Sequence, residues 1–249
     1  MTSGRLLLLP SPIGEHAAID EVLPARVIEA ARNTRHFLVE RAKSARAFLK
    51  AIGHPVALQD LDIVEIGHQP DPTRIDAWLG PLRAGEDVAI VSEAGCPGIA
   101  DPGACIVARA HALGFAVHPL VGPSSLLLAL MGSGLDGQHF RFVGYLPQDA
   151  REREAAIGAL EAASRSGETQ LFIETPYRNE RLYEALLRRC ADDTRLAIAV
   201  ALTEPDASLV TRTIAEWRSI DRPQRPLLHH RPAVFALLGK PRAAALKKR

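Results

Sequence analysis

Hydrophobic residues in the first half of the chain fall into short runs, separated by longer stretches with helical periodicity. Runs rich in leucine and β-branched residues are typical of strands. Five are present: Arg5–Leu9, Phe37–Glu40, Asp62–Ile66, Val88–Ser92 and Phe115–Leu120. Because strands alternate with helical stretches, the pattern predicts an α/β fold with a largely parallel sheet.

Two glycines indicate where helices of this half end. Gly53 follows the amphipathic stretch Ala42–Ile52, and Gly114 follows Ala104–Leu113. A helix commonly ends next to a left-handed residue, and glycine adopts that conformation without steric cost. We therefore predict helices over both stretches and interpret the first half as one doubly wound unit.

The pattern changes after residue 120. Gly122-Pro123 predicts a turn, Ser124–Met131 a helix of small and apolar residues, and Gly132–Gly137 a loop. Beyond the loop we predict strands and two helices, the strands at Phe140–Tyr145, Gln170–Glu174, Arg195–Ala201, Leu209–Ile214 and Ala233–Leu238 and the helices at Ala150–Ser164 and Asn179–Cys190.

The connection between Ala201 and Leu209 is too short for a parallel crossover, which needs a dozen or more residues. It predicts an antiparallel pair within a mixed sheet. We therefore expect an N-terminal α/β domain over residues 1–120, a C-terminal α/β domain with a mixed sheet over 121–240, and a basic tail over 241–249.

Composition excludes several classes of protein. A chain of 249 residues with 47% hydrophobic residues can bury a substantial core. Its three cysteines are too few and too scattered for a disulfide framework, and no cysteine or histidine cluster has the spacing of a metal site. The apolar start Leu6–Leu9 is far shorter than the roughly 20 residues that span a bilayer. We expect a cytoplasmic protein with neither a membrane span nor a metal.

Positive charge is concentrated at the C-terminal end, although the formal net charge is only +1. Residues 221–249 contain one acid, Asp221, and eight basic residues: Arg222, Arg225, Arg231, Lys240, Arg242, Lys247, Lys248 and Arg249. Such a segment can contact phosphate groups of a nucleic acid. A solvated terminus without a partner is an equally good explanation.

Three loops of the first half carry the candidate chemistry, and each follows a predicted strand, where α/β sheets bind ligands. The first is Pro10-Ser11-Pro12-Ile13-Gly14, and the third is Gly122-Pro123-Ser124-Ser125. The second, Ser92 to Gly103, combines three glycines, two prolines and the carboxylates Glu93 and Asp101. It has no lysine to pair with phosphates, which argues against a nucleotide-hydrolysing enzyme.

Polar residues also follow several predicted strands of the second half. The segments are Gly144-Tyr145-Leu146-Pro147, Glu174-Thr175-Pro176-Tyr177-Arg178 and Ala201-Leu202-Thr203-Glu204. Strand ends that lie side by side favour a common binding cleft. Glu174 and Arg178 can equally form a structural ion pair at the start of a helix.

These motifs, in this order and spacing, resemble those of the tetrapyrrole methylase superfamily, and within it the enzymes that methylate a ribose 2′-hydroxyl of small-subunit (16S) ribosomal RNA. The likeness spans most of the chain, and the segment 92–103 is its most specific part. It implies a two-domain α/β architecture with S-adenosylmethionine in the cleft between the domains, a homodimer, and ribosomal RNA or the small ribosomal subunit as a partner.

The resemblance also implies site residues. Cofactor contacts are expected at Leu9, Pro10, Glu93, Ala94, Ile99, Asp101, Ser124, Ser125, Phe172, Ile173, Ala201, Leu202, Pro232 and Ala233. A sulfonium methyl group is already electrophilic, so the protein chiefly has to align a hydroxyl with it and accept a proton. We expect Glu93, Asp101 or Glu204 to take that catalytic role.

The chain departs from the RNA-modifying branch at two motifs. It has Glu40-Arg41-Ala42-Lys43 where that branch has Glu-Asp-Thr-Arg, and Leu202-Thr203-Glu204 where it has Leu-Thr-Lys. Two alternatives therefore stay open: a methyltransferase of a small molecule such as a porphyrinoid, and a non-catalytic module that binds S-adenosylmethionine.

Overall fold

The computed structural model describes residues 3–14 and 16–241, with Arg222 described by its backbone only. The chain divides into two compact units, residues 1–124 and 125–249. Most of the predicted basic tail, including Arg242, Lys247, Lys248 and Arg249, lies outside the described residues.

The first unit contains a parallel sheet and the helices that connect its strands. Its elements are β1 (Arg5–Leu9), α1 (Ile19–Val22), α2 (Ala25–Asn33), β2 (His36–Val39), α3 (Ala42–Ala51), β3 (Asp62–Glu65), α4 (Ile75–Trp78), α5 (Gly80–Arg83), β4 (Val88–Val91), α6 (Ala104–Ala112) and β5 (Ala116–Pro119). The strand order is β3-β2-β4-β1-β5, and every pairing is parallel. The five predicted strands and the parallel sheet are thus confirmed.

Alternate residues of the strands bury opposite faces of this sheet, as the two-residue period of a strand requires. Leu7 and Leu9 of β1 join a core with α2 and α3. Leu6, on the other face, joins a core with α4, α5 and α6. Helices therefore cover both faces, and Gly53 and Gly114 have the predicted left-handed backbone with φ of 67° and 76°.

The second unit contains a mixed sheet. Its elements are α7 (Ser125–Ser133), β6 (Phe140–Tyr145), α8 (Ala150–Ser164), β7 (Thr169–Glu174), α9 (Asn179–Arg189), β8 (Arg195–Val200), β9 (Ser208–Thr213), α10 (Ile214–Ser219) and β10 (Ala233–Leu238). The order is β6-β7-β10-β8-β9, with β6 and β7 parallel and the other neighbours antiparallel. The predicted antiparallel pair is β8 and β9.

The faces of the second sheet are covered unequally. Ala129 and Leu130 of α7 pack on one face. The opposite face is covered by α8, α9 and α10, and its core contains Trp217, whose indole N–H donates to the Leu196 carbonyl at 2.8 Å. This unit thus has its own core, independent of the first.

Five helices were not predicted, namely α1, α2, α4, α5 and α10. In the first unit, α4 and α5 are separated by Leu79 and interrupted by Gly80-Pro81, so neither shows a helical period of useful length. In the second, Ile214 begins α10, whereas the sequence pattern assigned it to a strand. The side chains of Thr213 and Glu216 form a reciprocal capping box there, a signal the sequence analysis missed. Within residues 3–14 and 16–241, no helix has the length and apolar composition to cross a membrane.

Candidate functional site

The loops after β1 and β4 are joined to each other at the carboxyl end of the first sheet. Ser11 and Gly95 exchange backbone hydrogen bonds of 3.0 and 3.1 Å. The buried Ser11 hydroxyl donates to the Ser92 carbonyl at 3.0 Å, and the Ser92 hydroxyl donates to the Gly95 carbonyl at 2.9 Å. Two of the three predicted loops therefore form one hydrogen-bonded structure.

The loop after β5 packs directly on the loop after β1. A Cβ added at Gly122 would lie 2.2 Å from Cβ and 2.3 Å from Cγ of Pro10. Gly95 has a φ of +75°, and a Cβ there would lie 3.1 Å from both the Ile13 side chain and the Pro123 carbonyl. Glycine is required at Gly122 for the close approach and at Gly95 for the backbone conformation as well.

Asp101 organises the turn that precedes α6. Its Oδ1 accepts hydrogen bonds from the backbone N–H groups of Gly98, at 3.0 Å, and Gly103, at 2.7 Å. Between them, Ala100 has a left-handed φ of 54°, which is unfavourable for a residue with a Cβ. One oxygen of this predicted catalytic carboxylate thus holds the loop together.

Carboxylates from two loops of the first unit lie close enough to influence one another. Glu40, directly after β2, contacts the Nδ1 atom of His68. Burial raises the pKa of Glu40, and the nearby charges of Asp101 and Glu93 add to the rise, whereas His68 and Arg41 oppose it. Raised carboxyl pKa values are typical of sites that handle protons, although structural clusters show them too.

Sequence reasoning missed Glu40 as a site residue. Glu40 begins the motif at which the chain differs from the RNA-modifying branch, but nothing in the sequence indicates that His68, after β3, would contact it.

Glu93, which was predicted, is exposed and accepts a hydrogen bond from the Ser44 hydroxyl. Cys96 donates weakly to the Pro123 carbonyl at 3.4 Å, and burial raises the pKa of its thiol, so it is a poor nucleophile.

The predicted cofactor residues of the first unit fall into two groups. Leu9 and Pro10 are buried at the end of β1, so only their backbone can meet a ligand. Glu93, Ala94 and Ile99 are exposed on the loop after β4, while Asp101 and Ser124 are half-buried. The first unit therefore brings these residues to one end of its sheet.

The corresponding end of β7 in the second unit carries a buried ion pair. Glu174 accepts from Nε and Nη2 of Arg178 at 2.9 and 2.7 Å, and from the backbone N–H of Thr175 at 2.7 Å. The Arg178 guanidinium also lies over the Tyr177 ring, 5.4 Å from its centroid. The structural ion pair considered from the sequence is confirmed.

The turn after β8 has an unusual backbone. Ala201 and Thr203 have left-handed φ values of 48° and 71°, and the Ala201 N–H donates to the Pro232 carbonyl at 2.9 Å. The Thr203 hydroxyl is buried and has no hydrogen-bond partner among the described residues. Strain at non-glycine residues, together with an unsatisfied buried polar group, is characteristic of ligand-binding turns.

The remaining predicted cofactor residues belong to the second unit and differ in burial. Ala201 and Ala233 are buried, Leu202 and Ile173 are half-buried, and Pro232 is exposed at the start of β10. Phe172 lies in the core, stacked on Phe235 with ring centroids 5.7 Å apart, so its side chain is not available to a ligand. Ser125, half-buried, is the first residue of α7.

Glu204, the third predicted catalytic carboxylate, lies in the turn after β8. It is half-buried, and its N–H donates to the Ala201 carbonyl at 3.0 Å. Its charge helps to raise the pKa of Arg231, after the larger effect of Asp206.

In the described part of the chain, no group of three or more histidine, cysteine, aspartate or glutamate side chains is arranged to hold a metal ion.

Comparison with known families adds a further finding. Residues 20–217 match the sequence profile of the family described as Tetrapyrrole (Corrin/Porphyrin) Methylases. A protein of Micromonospora olivasterospora named Ribosomal RNA small subunit methyltransferase I is 34% identical over 219 residues, which cover 86% of this chain and 64% of that protein. The Escherichia coli O157:H7 protein of the same name is 31% identical over 210 residues, covering 82% and 67%. The chain therefore spans less than two thirds of the first relative.

A solved structure has the same fold. The methyltransferase CobJ superposes with a TM-score of 0.61 at 18% identity, covering 96% of this chain and 95% of that one. At this identity the likeness concerns the fold alone.

Proposed function

Since the chain belongs to the tetrapyrrole methylase family, we propose that it is an S-adenosylmethionine-dependent methyltransferase whose acceptor is a ribose 2′-hydroxyl of 16S ribosomal RNA. The observation that carries the proposal is the 31% identity, over 210 residues, to a protein named Ribosomal RNA small subunit methyltransferase I. The segments 10–14 and 92–103, which carry the family likeness, are also the segments that the Ser11 and Gly95 hydrogen bonds join.

The residues at the sheet ends fit a cofactor. A Cβ at Gly98 would have no heavy atom within 4 Å, so space is available beside its backbone. The unpartnered Thr203 hydroxyl, next to Leu202, would be satisfied by a polar group of a ligand. The cofactor contacts that we propose are the residues indicated by the family resemblance, with Phe172 contributing through its backbone: Leu9, Pro10, Glu93, Ala94, Ile99, Asp101, Ser124, Ser125, Phe172, Ile173, Ala201, Leu202, Pro232 and Ala233.

S-adenosylmethionine supplies an electrophilic methyl group when it is bound. The protein contributes alignment of the acceptor oxygen and removal of its proton. Glu93 is the best-placed of the predicted carboxylates for proton transfer because it is exposed and accepts a hydrogen bond from Ser44. Asp101 has one oxygen committed to the backbone of its own loop, which makes a positioning role the better assignment.

Two measurements test the proposal. Calorimetry should detect binding of S-adenosylmethionine or its demethylated product, and no binding of either at millimolar concentration would refute it. Radiolabelled methyl transfer should then be compared on small ribosomal subunits, total RNA and a tetrapyrrole. Label in the tetrapyrrole alone would establish the small-molecule alternative, and binding without transfer to any acceptor would indicate the non-catalytic one.

The catalytic assignment is tested with isosteric variants. Glu93→Gln, Asp101→Asn and Glu204→Gln should be assayed for cofactor binding and methyl transfer separately. We expect Glu93→Gln to lose transfer with binding intact, by about 10²- to 10⁴-fold, the usual contribution of general base catalysis. Full activity of all three variants would refute the assignment of these carboxylates.

We also propose that the protein is a homodimer that works in the cytoplasm, where ribosomal RNA is modified. The helix α7 supports the dimer, because it is apolar on nearly all sides and exposes Leu127 and Met131 away from the sheet. Light scattering at micromolar concentration should give twice the mass of one chain, 26.9 kDa. A monomeric mass would refute the dimer.

A further inference from the structure

Two of the chain's three tyrosines are exposed at the same edge of the second sheet. Tyr183 is buried in the core, whereas Tyr145 is 57% exposed and Tyr177 is 63% exposed. Tyr145 ends β6, and Tyr177 lies just after the parallel neighbour β7. Aromatic residues form only 5% of this chain, so two large exposed rings at adjacent strand ends are not an expected consequence of composition.

The backbone on either side of Tyr145 is fixed. The register between β6 and β7 shifts between Phe142 and Tyr145, which places one extra residue in β6. Gly144 has a φ of +73° in this bulge, and such bulges change the direction of the side chain that follows. The next residue, Leu146, is buried in the core. The Tyr145 ring is therefore held outside the core by a backbone that is anchored inside it.

Tyr177 is fixed by different contacts. Pro176 precedes it in a 3₁₀ turn, which restricts the backbone. The guanidinium of Arg178, 5.4 Å from the ring centroid, is itself held by two hydrogen bonds to the buried carboxylate of Glu174. The Tyr177 ring therefore lies against a guanidinium that cannot move freely. Because the ring is already restricted, stacking of a ligand on it costs little entropy of the Tyr177 side chain.

Charged side chains of both signs lie close to these rings along the chain. Arg151 is in the first turn of α8, which follows β6, and Arg181 is in the first turn of α9, which follows β7. Both are exposed, and an acidic residue stands beside each of them in the same turn, Glu152 in α8 and Glu180 in α9. The charges of these turns balance, so the exposed aromatic rings themselves are what match single-stranded RNA, whose unpaired bases present flat faces for stacking.

We propose that Tyr145 and Tyr177 form a stacking site for unpaired bases of the RNA acceptor. This inference rests on the methyltransferase function proposed above and adds the residues that recognise the substrate. Stacking tolerates any base but requires that the base be unpaired. The site therefore selects single-stranded segments and contributes little to the choice of sequence.

The experiment compares the leucine and phenylalanine variants at each position. Binding of a fluorescein-labelled, single-stranded oligoribonucleotide of about 12 nucleotides is followed by anisotropy, and a fully paired duplex serves as the second probe. Tyr177→Leu and Tyr145→Leu should each weaken single-strand binding by about 5- to 150-fold, the usual effect of removing one stacked aromatic ring. Tyr177→Phe and Tyr145→Phe should bind within about twofold of the wild type because the ring face is retained.

Phe140→Leu is the matched control. Phe140 is also an exposed aromatic residue of β6, at 43%, but it lies at the opposite end of the strand. Its substitution should leave RNA binding unchanged. The leucine variants at the tyrosines should also keep the wild-type dependence of affinity on salt, since stacking neutralises no phosphate.

The outcomes distinguish failure of the stacking site from failure of the proposed RNA methyltransferase function. A wild-type protein that binds no RNA refutes the RNA acceptor itself. Wild-type binding that persists unchanged in both leucine variants refutes only the stacking site. Loss of cofactor binding by calorimetry, or a change in oligomeric mass, in the leucine variants would also overturn it, because the rings would then serve the cofactor or another protein chain.

Discussion

Substitution of Gly122 by alanine tests whether the packed loops of the first unit form the cofactor site. The added Cβ would lie 2.2 Å from Cβ of Pro10, a ring carbon that cannot rotate away. Ordinary carbon contacts are about 3.5 Å or longer, so the two loops must separate by roughly 1.3 Å. Overpacking of this kind costs about 1–3 kcal/mol, which lowers the melting temperature by about 2–12 °C for a chain of this size.

The same displacement should weaken cofactor binding. The loop after β1 also holds Gly95 through the backbone hydrogen bonds of Ser11, so moving it disturbs the loop after β4. Displacements near 1 Å cost up to about 10²-fold in enzymes. For Gly122→Ala we expect a loss of about 10- to 100-fold in methyl transfer, with weaker binding by calorimetry, measured well below the melting temperature.

Two other glycines provide controls. Gly4→Ala is at least as crowded, since its Cβ would lie 1.9 Å from the Glu86 carbonyl oxygen, but Gly4 precedes β1 at the opposite end of the sheet. It should lower the melting temperature without changing cofactor affinity. Gly137→Ala, at a position without a positive φ and with open space around the added Cβ, should be neutral or slightly stabilising. Wild-type stability of Gly122→Ala, or an equal loss of affinity in Gly4→Ala, would refute the reasoning.

Three further variants test local energetics. Burial raises the pKa of Glu40, so ionisation of this carboxyl opposes folding as the pH rises above the ordinary carboxyl range. Glu40→Gln should therefore raise the melting temperature more at pH 8 than at pH 4. An equal change of melting temperature at both pH values would contradict this reasoning. Thr213→Ala removes the capping box with Glu216 and should cost about 0.5–2 kcal/mol in urea denaturation, whereas no loss would show that the cap is unimportant. Arg178→Ala leaves the buried Glu174 carboxylate without its charged partner and should cost about 3–5 kcal/mol, more than Glu174→Gln, and the reverse order would refute the ion-pair assignment.

The sequence predicted the elements whose signals are local. The strand Arg5–Leu9 was found with its observed bounds because its run of leucines is bounded by polar and proline residues. The helix Ala150–Ser164 was also found with its bounds, since Asp149 caps its first turn through the N–H groups of Arg151 and Glu152. Both signals lie within a few residues of the element that they define.

Features that depend on distant residues were not predictable in this way. The hydrogen bonds between Ser11 and Gly95, and the contact between Glu40 and His68, exist because separate strands end at the same edge of the sheet. The left-handed Thr203 gives no sequence signal, because threonine rarely adopts that conformation. Motif resemblance identified which loops matter, but not which side chains in them meet.

The strand order of the first unit determines when its sheet can form during translation. Leu6 of β1 pairs with Val88 of β4 and Val117 of β5, so the leucine-rich first strand has no partner until β4 has left the ribosome. At about 5–20 residues per second, β1 waits about 4–16 s for β4 alone. In the second unit, β8 and β9 form a hairpin with Val200 opposite Ser208 and can pair at once. Nascent chains of the first unit therefore expose an apolar strand for seconds, during which a chaperone can bind it, and those of the second begin folding locally.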